Sequence, residues 1–338
     1  MRCECELAGY CRRHRAKKSN RMVELCQAGG AYWGAWESNR WPWQTSEYAG
    51  EPETCQSTYK VDTSKYAEMD GSLRVIRKPF IDKLPTPKHR RAILTVAPDQ
   101  KPQGELEISR PTFQRYAEEF EADYIELTDI QRSNHPCGNK YVLTQVSERY
   151  EQTLLVDTDV IIMPNAPDVF REVPLGKWGL VDDLANLVAS SGEGWVLREM
   201  QQICDAIGVK SVELTKAWNS GMVVAPTDAA REYYPPEVPV PFLWCTEQHL
   251  HTINLLQTKR VVDLPLVWQA GYPWVNFPEA IKTAYAIHIN GCHGPHSIRL
   301  NLMRHFAAGH RDIPNELMKT YESGTINNPW WFHAERNT

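Results

Sequence analysis

Two carboxylates close an apolar run in Thr153-Leu-Leu-Val-Asp157-Thr-Asp159-Val-Ile-Ile-Met163. Side chains two residues apart on a strand share a face, so Asp157 and Asp159 can point the same way. Close like charges repel unless a cation lies between them. An all-oxygen pair suits Mg²⁺ or Mn²⁺, ions that bridge to substrate phosphates. The plainer alternative is two solvated loop aspartates, and a bare D-x-D does not choose between the two.

A different donor set stands at the N-terminus. Cys3, Cys5, Cys11, His14 and Cys26 place five soft or borderline ligands within 24 residues. Zinc takes four such ligands tetrahedrally. A segment this short builds no core, so a metal would fold it. The spacing matches no common finger. Zn²⁺ is set against a basic tail with reduced thiols, and against an iron–sulfur cluster that would leave His14 idle.

The elements that must position these groups are legible from about residue 89. Arg91–Ala97 reads as a buried strand. Phe113, Tyr116, Ala117 and Phe120 recur at helical spacing, so 109–122 is an amphipathic helix. Strands follow at 124–127, 153–157, 178–182, 222–225, 261–264 and 285–289. Helices are expected at 138–150, from Val196 to the Gly208 stop, at 246–257, and along Ile298, Leu302 and Phe306 to Gly309. Strands alternating with helices predict a three-layer α/β domain with a mostly parallel sheet. Ligands of such sheets bind outside the carboxyl ends of the strands. The divisions expected are a Cys/His-rich basic module over 1–37, an irregular linker over 38–88, the α/β domain over 89–315, and a tail over 316–338.

Composition bounds the function classes. The chain has 338 residues, 42% hydrophobic and 23% charged, which suits one large globular domain and something smaller. No apolar run approaches the roughly 18 residues of a membrane helix, and the N-terminus lacks an apolar signal segment. A cytoplasmic protein with no integral membrane segment is the expectation. Nine cysteines, an odd number, disfavour a disulfide framework. Net charge is −5, yet residues 1–21 carry +5, a basic head on an acidic body. A solvated basic face accounts for that run better than nucleic-acid contact does.

Beyond these readings, Tyr150-Glu-Gln-Thr-Leu-Leu-Val-Asp157-Thr-Asp159-Val-Ile-Ile resembles the D-x-D segment of GT-A glycosyltransferases. The likeness is to the family-8 type, which includes bacterial galactosyl- and glucosyltransferases and glycogenin. Further pieces follow in order. Asn219-Ser-Gly221 resembles the family's N-[AS]-G strand, Glu247-Gln248 its [DE]-Q pair, and His288-Ile-Asn-Gly291 its late H-x-x-G. Lys140 stands where the family often has a basic donor contact, and Asp182 or Asp183 matches an acidic position. The resemblance spans 89–310. It departs after His288, where Cys292-His293-Gly-Pro295-His296 replaces a K-P-W type segment, so His293 or His296 would have to supply the phosphate contact.

The resemblance implies a GT-A, Rossmann-like fold and a UDP-sugar donor. It implies Mn²⁺ or Mg²⁺ held by Asp157, Asp159 and His288, and transfer with retention to a carbohydrate, lipid or protein acceptor. Asn219 and Gln248 would face the donor sugar and Glu247 would hold a sugar hydroxyl. Lys140, Asp157, Asp182, Asp183, Gly221, Gly291 and His293 would line the donor. Three rival readings stand beside it. A nucleotidyltransferase would show a Gly-rich first loop, whereas Pro98-Asp-Gln-Lys-Pro-Gln-Gly104 carries one glycine. A zinc hydrolase on His288, His293 and His296 leaves the D-x-D unexplained. An interaction protein with a metal-folded head would bind no nucleotide sugar.

Overall fold

A computed structural model of the chain describes residues 84–98, 100–128, 130, 133, 136–184, 195–210, 212–236, 238, 240–241, 245–271, 277–290 and 296–322. The Cys/His-rich module, with Cys3, Cys5, Cys11, His14 and Cys26, lies outside them, as do Gly291 and His293.

In chain order the elements begin with β1 (Arg91–Ala97), α1 (Gln100–Glu119) and β2 (Ala122–Thr128). A 3-10 run (Pro136–Val142) leads into α2 (Leu143–Ser147), β3 (Gln152–Val156), β4 (Val160–Ile162) and α3 (Val169–Glu172). Then come β5 (Trp178–Leu180), α4 (Trp195–Ile207), β6 (Met222–Pro226), α5 (Thr246–Thr258) and β7 (Val261–Asp263). The last are β8 (Ala270–Gly271), α6 (Phe277–Thr283), β9 (Ala286–His288), α7 (His296–Ala307) and α8 (Asn315–Glu322). Helix α8 occupies the start of the expected C-terminal tail.

Helix α1 starts nine residues before the expected position and runs through Pro111. Proline lacks the N–H that would reach the carbonyl four residues back. That carbonyl belongs to Glu107, an exposed residue, so water can satisfy it. Helices α4 and α7 are stopped as expected by glycines: Gly208 has φ +75° and Gly309 φ +90°, conformations that cost glycine little.

The main sheet has six strands in the order β2-β1-β3-β6-β5-β7. β1 is parallel to β2 and β3, and β5 to β7. β6 runs antiparallel to both β3 and β5. The sheet is therefore mixed and rich in parallel pairs, with one reversed strand near its centre. The reversal has a local cause. The chain before β6 stays at the carboxyl end of β5, where Asp182 bridges to Trp218, and must enter the sheet from that end. As a result the first residue of β6 pairs with the last of β3, Met222 with Val156.

Three short strands form a second sheet, β4-β9-β8. The period of two along the main strands divides the apolar residues between two cores. Ile93, Leu154, Val156, Met222 and Val224 pack with Phe113 and Tyr116 of α1, Phe306 of α7 and the second sheet. Ala92, Leu94, Leu155, Val223 and Ala225 pack on the opposite face with α2, α4 and α5. The result is layered α/β, with the two sheets meeting where β3 ends and β4 begins.

Candidate active site

Between β3 and β4 lies the turn Asp157-Thr158-Asp159. The two aspartates do not share a strand face, as alternation alone predicts. They converge because the chain turns between them, Val160 N donating to Asp157 O at 3.1 Å. Each end of the turn hangs on a different sheet. Asp157 N donates to Gly221 O at 2.8 Å, and Ile289 N donates to Asp159 O at 2.8 Å. Thr158 is buried at the apex, where its Oγ1 donates to Glu105 Oε2 (3.0 Å) and its carbonyl accepts from Ser109 Oγ (2.8 Å).

His288 arrives through the β4–β9 ladder, directly opposite Val160. Its Nε2 lies 3.2 Å from Asp159 Oδ1. One ligand atom each from Asp157, Asp159 and His288 lie within 4.8 Å of one another. The ring is held from behind, with Gln269 Nε2 2.9 Å from Nδ1 and Nε2 turned to Asp159. The same amide donates to Asn219 Oδ1 at 2.6 Å. Gly221 makes room for this contact. A Cβ there would sit 2.5 Å from His288 Cε1 and 2.7 Å from Gln269 Nε2. Two hard carboxylates and an imidazole, clustered with the imidazole preoriented, fit a divalent ion of the Mn²⁺ or Mg²⁺ kind.

The opposite wall is built from the loop before β6. Lys140, buried in the 3-10 run, places Nζ 2.7 Å from Asp157 Oδ2 and 3.2 Å from Ser220 O. Ser220 N donates to Gln248 Oε1 (3.1 Å) and Ser220 Oγ to Glu247 Oε2 (3.0 Å). Tyr233 OH donates to Glu247 Oε1. Asn219 donates to Asp183 Oδ2 at 3.1 Å and accepts from Gly221 N at 2.8 Å.

Glu247 is 1% exposed and its two oxygens accept from Ser220 and Tyr233, so it seats Ser220. Asp182 turns away: its carboxylate takes Leu184 N (3.1 Å), Ala217 N (3.2 Å) and Lys216 Nζ (2.9 Å). Of the two neighbouring aspartates, Asp183 is the one that meets Asn219. Gln248 keeps its amide nitrogen for other work, its oxygen being held by Ser220.

Burial and charge compete at each ionisable group of the site. Burial favours a protonated Asp159, but His288, Arg299 and Lys140 outweigh it and hold the carboxyl below its ordinary range. Burial also opposes the charge on His288, and Asp159 reverses that, so the imidazole pKa is raised. The Lys140 ammonium, disfavoured by burial, is kept charged by Asp157 and Glu247. For Glu247 burial prevails and the pKa rises, against the pull of Lys140, Tyr233 and Ser220. Cys137 is pushed up to about 12, chiefly by burial, so its thiol is a poor nucleophile at neutral pH.

The sequence reading missed Glu105, Ser220, Tyr233, Gln269 and Arg299. Arg299 carried a signal: it lies three residues before Leu302 and seven before Phe306, on the buried stripe of α7. His296, weighed as a zinc ligand, places Nδ1 3.5 Å from Glu105 Oε1. At the far end of α7, half-buried His305 and exposed His310 and Asp312 form a second group with ligand atoms within 4.8 Å of one another.

No protein-family model matches the chain, and no curated protein does. Among solved structures it is similar to a glycosyltransferase involved in the glycosylation of the major capsid of PBCV-1, at 13% identity and TM-score 0.44, over 63% of this chain and 98% of that one. It is similar to the bifunctional glycosyltransferase WbbM in its apo form, at 13% identity and TM-score 0.44, over 62% of this chain and 47% of that one. It is also similar to the galactosyltransferase LgtC in complex with donor and acceptor sugar analogues, at 11% identity and TM-score 0.41, over 67% of this chain and 99% of that one.

Proposed function

We propose that the chain is a metal-dependent GT-A glycosyltransferase of the family-8 type. It would move a hexose from a UDP-sugar, with retention, to a carbohydrate, lipid or protein acceptor. The observation that carries the reading is the convergence of Asp157, Asp159 and His288 at the carboxyl end of β3, beside Asn219 and Gln248. A solvated pair of loop aspartates needs no preoriented imidazole.

Expulsion of a nucleoside diphosphate builds charge on the leaving oxygen, and a divalent ion supplies Lewis-acid stabilisation there when bound. Asp157, Asp159 and His288 would hold that ion. Lys140 keeps a fixed positive charge on the donor side of Asp157. The Gln248 amide nitrogen and Asn219 would orient the sugar, with Asp183 fixing the Asn219 rotamer. A glutamine is no strong nucleophile, and Glu247 is fully engaged, so neither favours a stable covalent intermediate. Gly291 and His293 keep the donor roles that the resemblance gives them.

The test is donor cleavage with added Mn²⁺, read as free UDP across the common UDP-sugars, with and without candidate acceptors. UDP release supports the reading. Pyrophosphate from UTP would point to a nucleotidyltransferase, and no binding of any nucleotide sugar to an interaction protein. Gln248→Ala should lower kcat by about 10- to 1000-fold and leave UDP affinity little changed, the mark of a contact made in the transition state. Gln269→Ala should weaken Mn²⁺ binding about 10- to 100-fold, as second-sphere partners of ligating histidines do. Electron paramagnetic resonance of free Mn²⁺ reads that loss, and an unchanged affinity would mean that β9 alone orients His288.

A further inference from the structure

Each carboxylate of the turn is held by its own buried cation, and in each case at Oδ2. Lys140 Nζ is 2.7 Å from Asp157 Oδ2, and Arg299 Nη2 is 2.9 Å from Asp159 Oδ2. These are not mobile surface charges: the side chains are 10% and 4% exposed. Arg299 is tied on two further sides. Its Nε donates to Ile289 O at 2.9 Å, and Nη2 is shared with Glu105 Oε1 at 2.9 Å. The other Glu105 oxygen receives Thr158 Oγ1 at 3.0 Å. One guanidinium thus joins α1, the turn, the end of β9 and α7.

Stability alone does not account for such a group, since well-packed apolar residues often serve a buried contact as well as an ion pair does. Its geometric effect on ligation is specific. With Oδ2 engaged by a cation, each aspartate has Oδ1 left for a metal ion, and Asp159 Oδ1 is the atom that faces His288 Nε2. Ca²⁺ takes six to eight oxygens and commonly uses both oxygens of a carboxylate, whereas Mg²⁺ demands a compact octahedron. A nitrogen ligand tilts the set further toward Mn²⁺.

We infer that Lys140 and Arg299 are selectivity-determining residues which, by occupying Oδ2 of Asp157 and Asp159, restrict both to one-oxygen ligation and set the site for small six-coordinate ions against Ca²⁺. Glu105 is the positioning residue that holds Arg299 to this task. The inference rests on the proposed metal site, and its test separates the two.

The test uses the full chain with no nucleotide present. Mn²⁺ binding is read from the free-ion paramagnetic resonance signal, and Ca²⁺ is titrated in as competitor. The double substitution Glu105→Gln with Arg299→Met removes both charges of that pair together, and Asp159 keeps His288 as its partner. Its preference for Mn²⁺ over Ca²⁺ should fall about tenfold or more, a shift of the size seen on losing second-sphere partners. Arg299→Lys, which keeps a cation on Oδ2, should retain the preference, an outcome a purely structural role does not predict. Should circular dichroism show the double variant unfolded, Lys140→Met puts the same question to Asp157, with the same expected loss. A folded variant with unaltered preference, or equal loss in Arg299→Lys, would overturn the inference. Wild-type protein that binds no Mn²⁺ would overturn the site itself.

Discussion

Asp159→Ala should abolish Mn²⁺-dependent cleavage of a nucleotide-sugar donor, by about 1000-fold or more, while the melting temperature moves little. The activity loss follows from position. Asp159 is the ligand that meets His288, at 3.2 Å, and without it Asp157 and His288 no longer enclose a common point. The fold should tolerate the change for two reasons. The backbone bond from Ile289 N to Asp159 O does not depend on the side chain. Arg299 keeps Glu105 and the Ile289 carbonyl, so no buried cation is stranded. Activity and thermal unfolding measured on one preparation decide the matter. Full activity with an intact donor would remove the turn from the mechanism.

A single methyl group should be nearly as damaging at Gly221. The Cβ of Gly221→Ala would lie 2.5 Å from His288 Cε1, 2.7 Å from Gln269 Nε2 and 2.8 Å from His288 Nδ1. None of these is the free end of a flexible chain; both side chains are buried and bonded to each other. The imidazole must therefore shift. Overpacking of this kind costs about 1–3 kcal/mol, and the displaced ring should lose Mn²⁺ affinity as well. Gly104→Ala is the control. That residue sits inside α1 with nothing within 4 Å of its Cβ, so alanine there should stabilise by about 0.5–1 kcal/mol. Wild-type melting and wild-type Mn²⁺ binding in Gly221→Ala would show that the ring has room to spare.

Some of this site was legible and some could not be. Asp157 and Asp159 stood out because carboxylates interrupt an apolar run, and that contrast survives in one dimension. His288, Asn219 and Gln248 were reached through resemblance; as isolated residues they read as core or turn. Glu105 has no such contrast, and Arg299 shows only as a charge on the buried stripe of α7. Helical periodicity collects apolar residues such as Phe113 and Phe306, and a paired charge on the buried stripe looks like a surface residue until its partner, 194 positions away, is known. The fold shows the same division. β1 and β3 are long apolar runs and were placed within a residue. β4 and β8, three and two residues long, were not expected as strands, whereas β9 lies within the strand expected at 285–289. The direction of β6 could not be read at all, because alternation and burial are identical for parallel and antiparallel strands.

The turn at Thr158 has a mechanical side. One aspartate is suspended from the six-stranded sheet and the other from the three-stranded sheet. An ion gripped by both therefore acts as a gauge of the gap between two otherwise separate hydrogen-bond lattices. Residues that set that gap become tuners of ion affinity although they touch no ligand. Trp268 is one: fully buried, it packs in the core beneath the small sheet and is pinned by Glu172 at 2.8 Å. Linkage runs both ways. Whatever spacing the ion prefers, its occupancy braces, and amide hydrogens on both sides of the seam should exchange more slowly when it is filled.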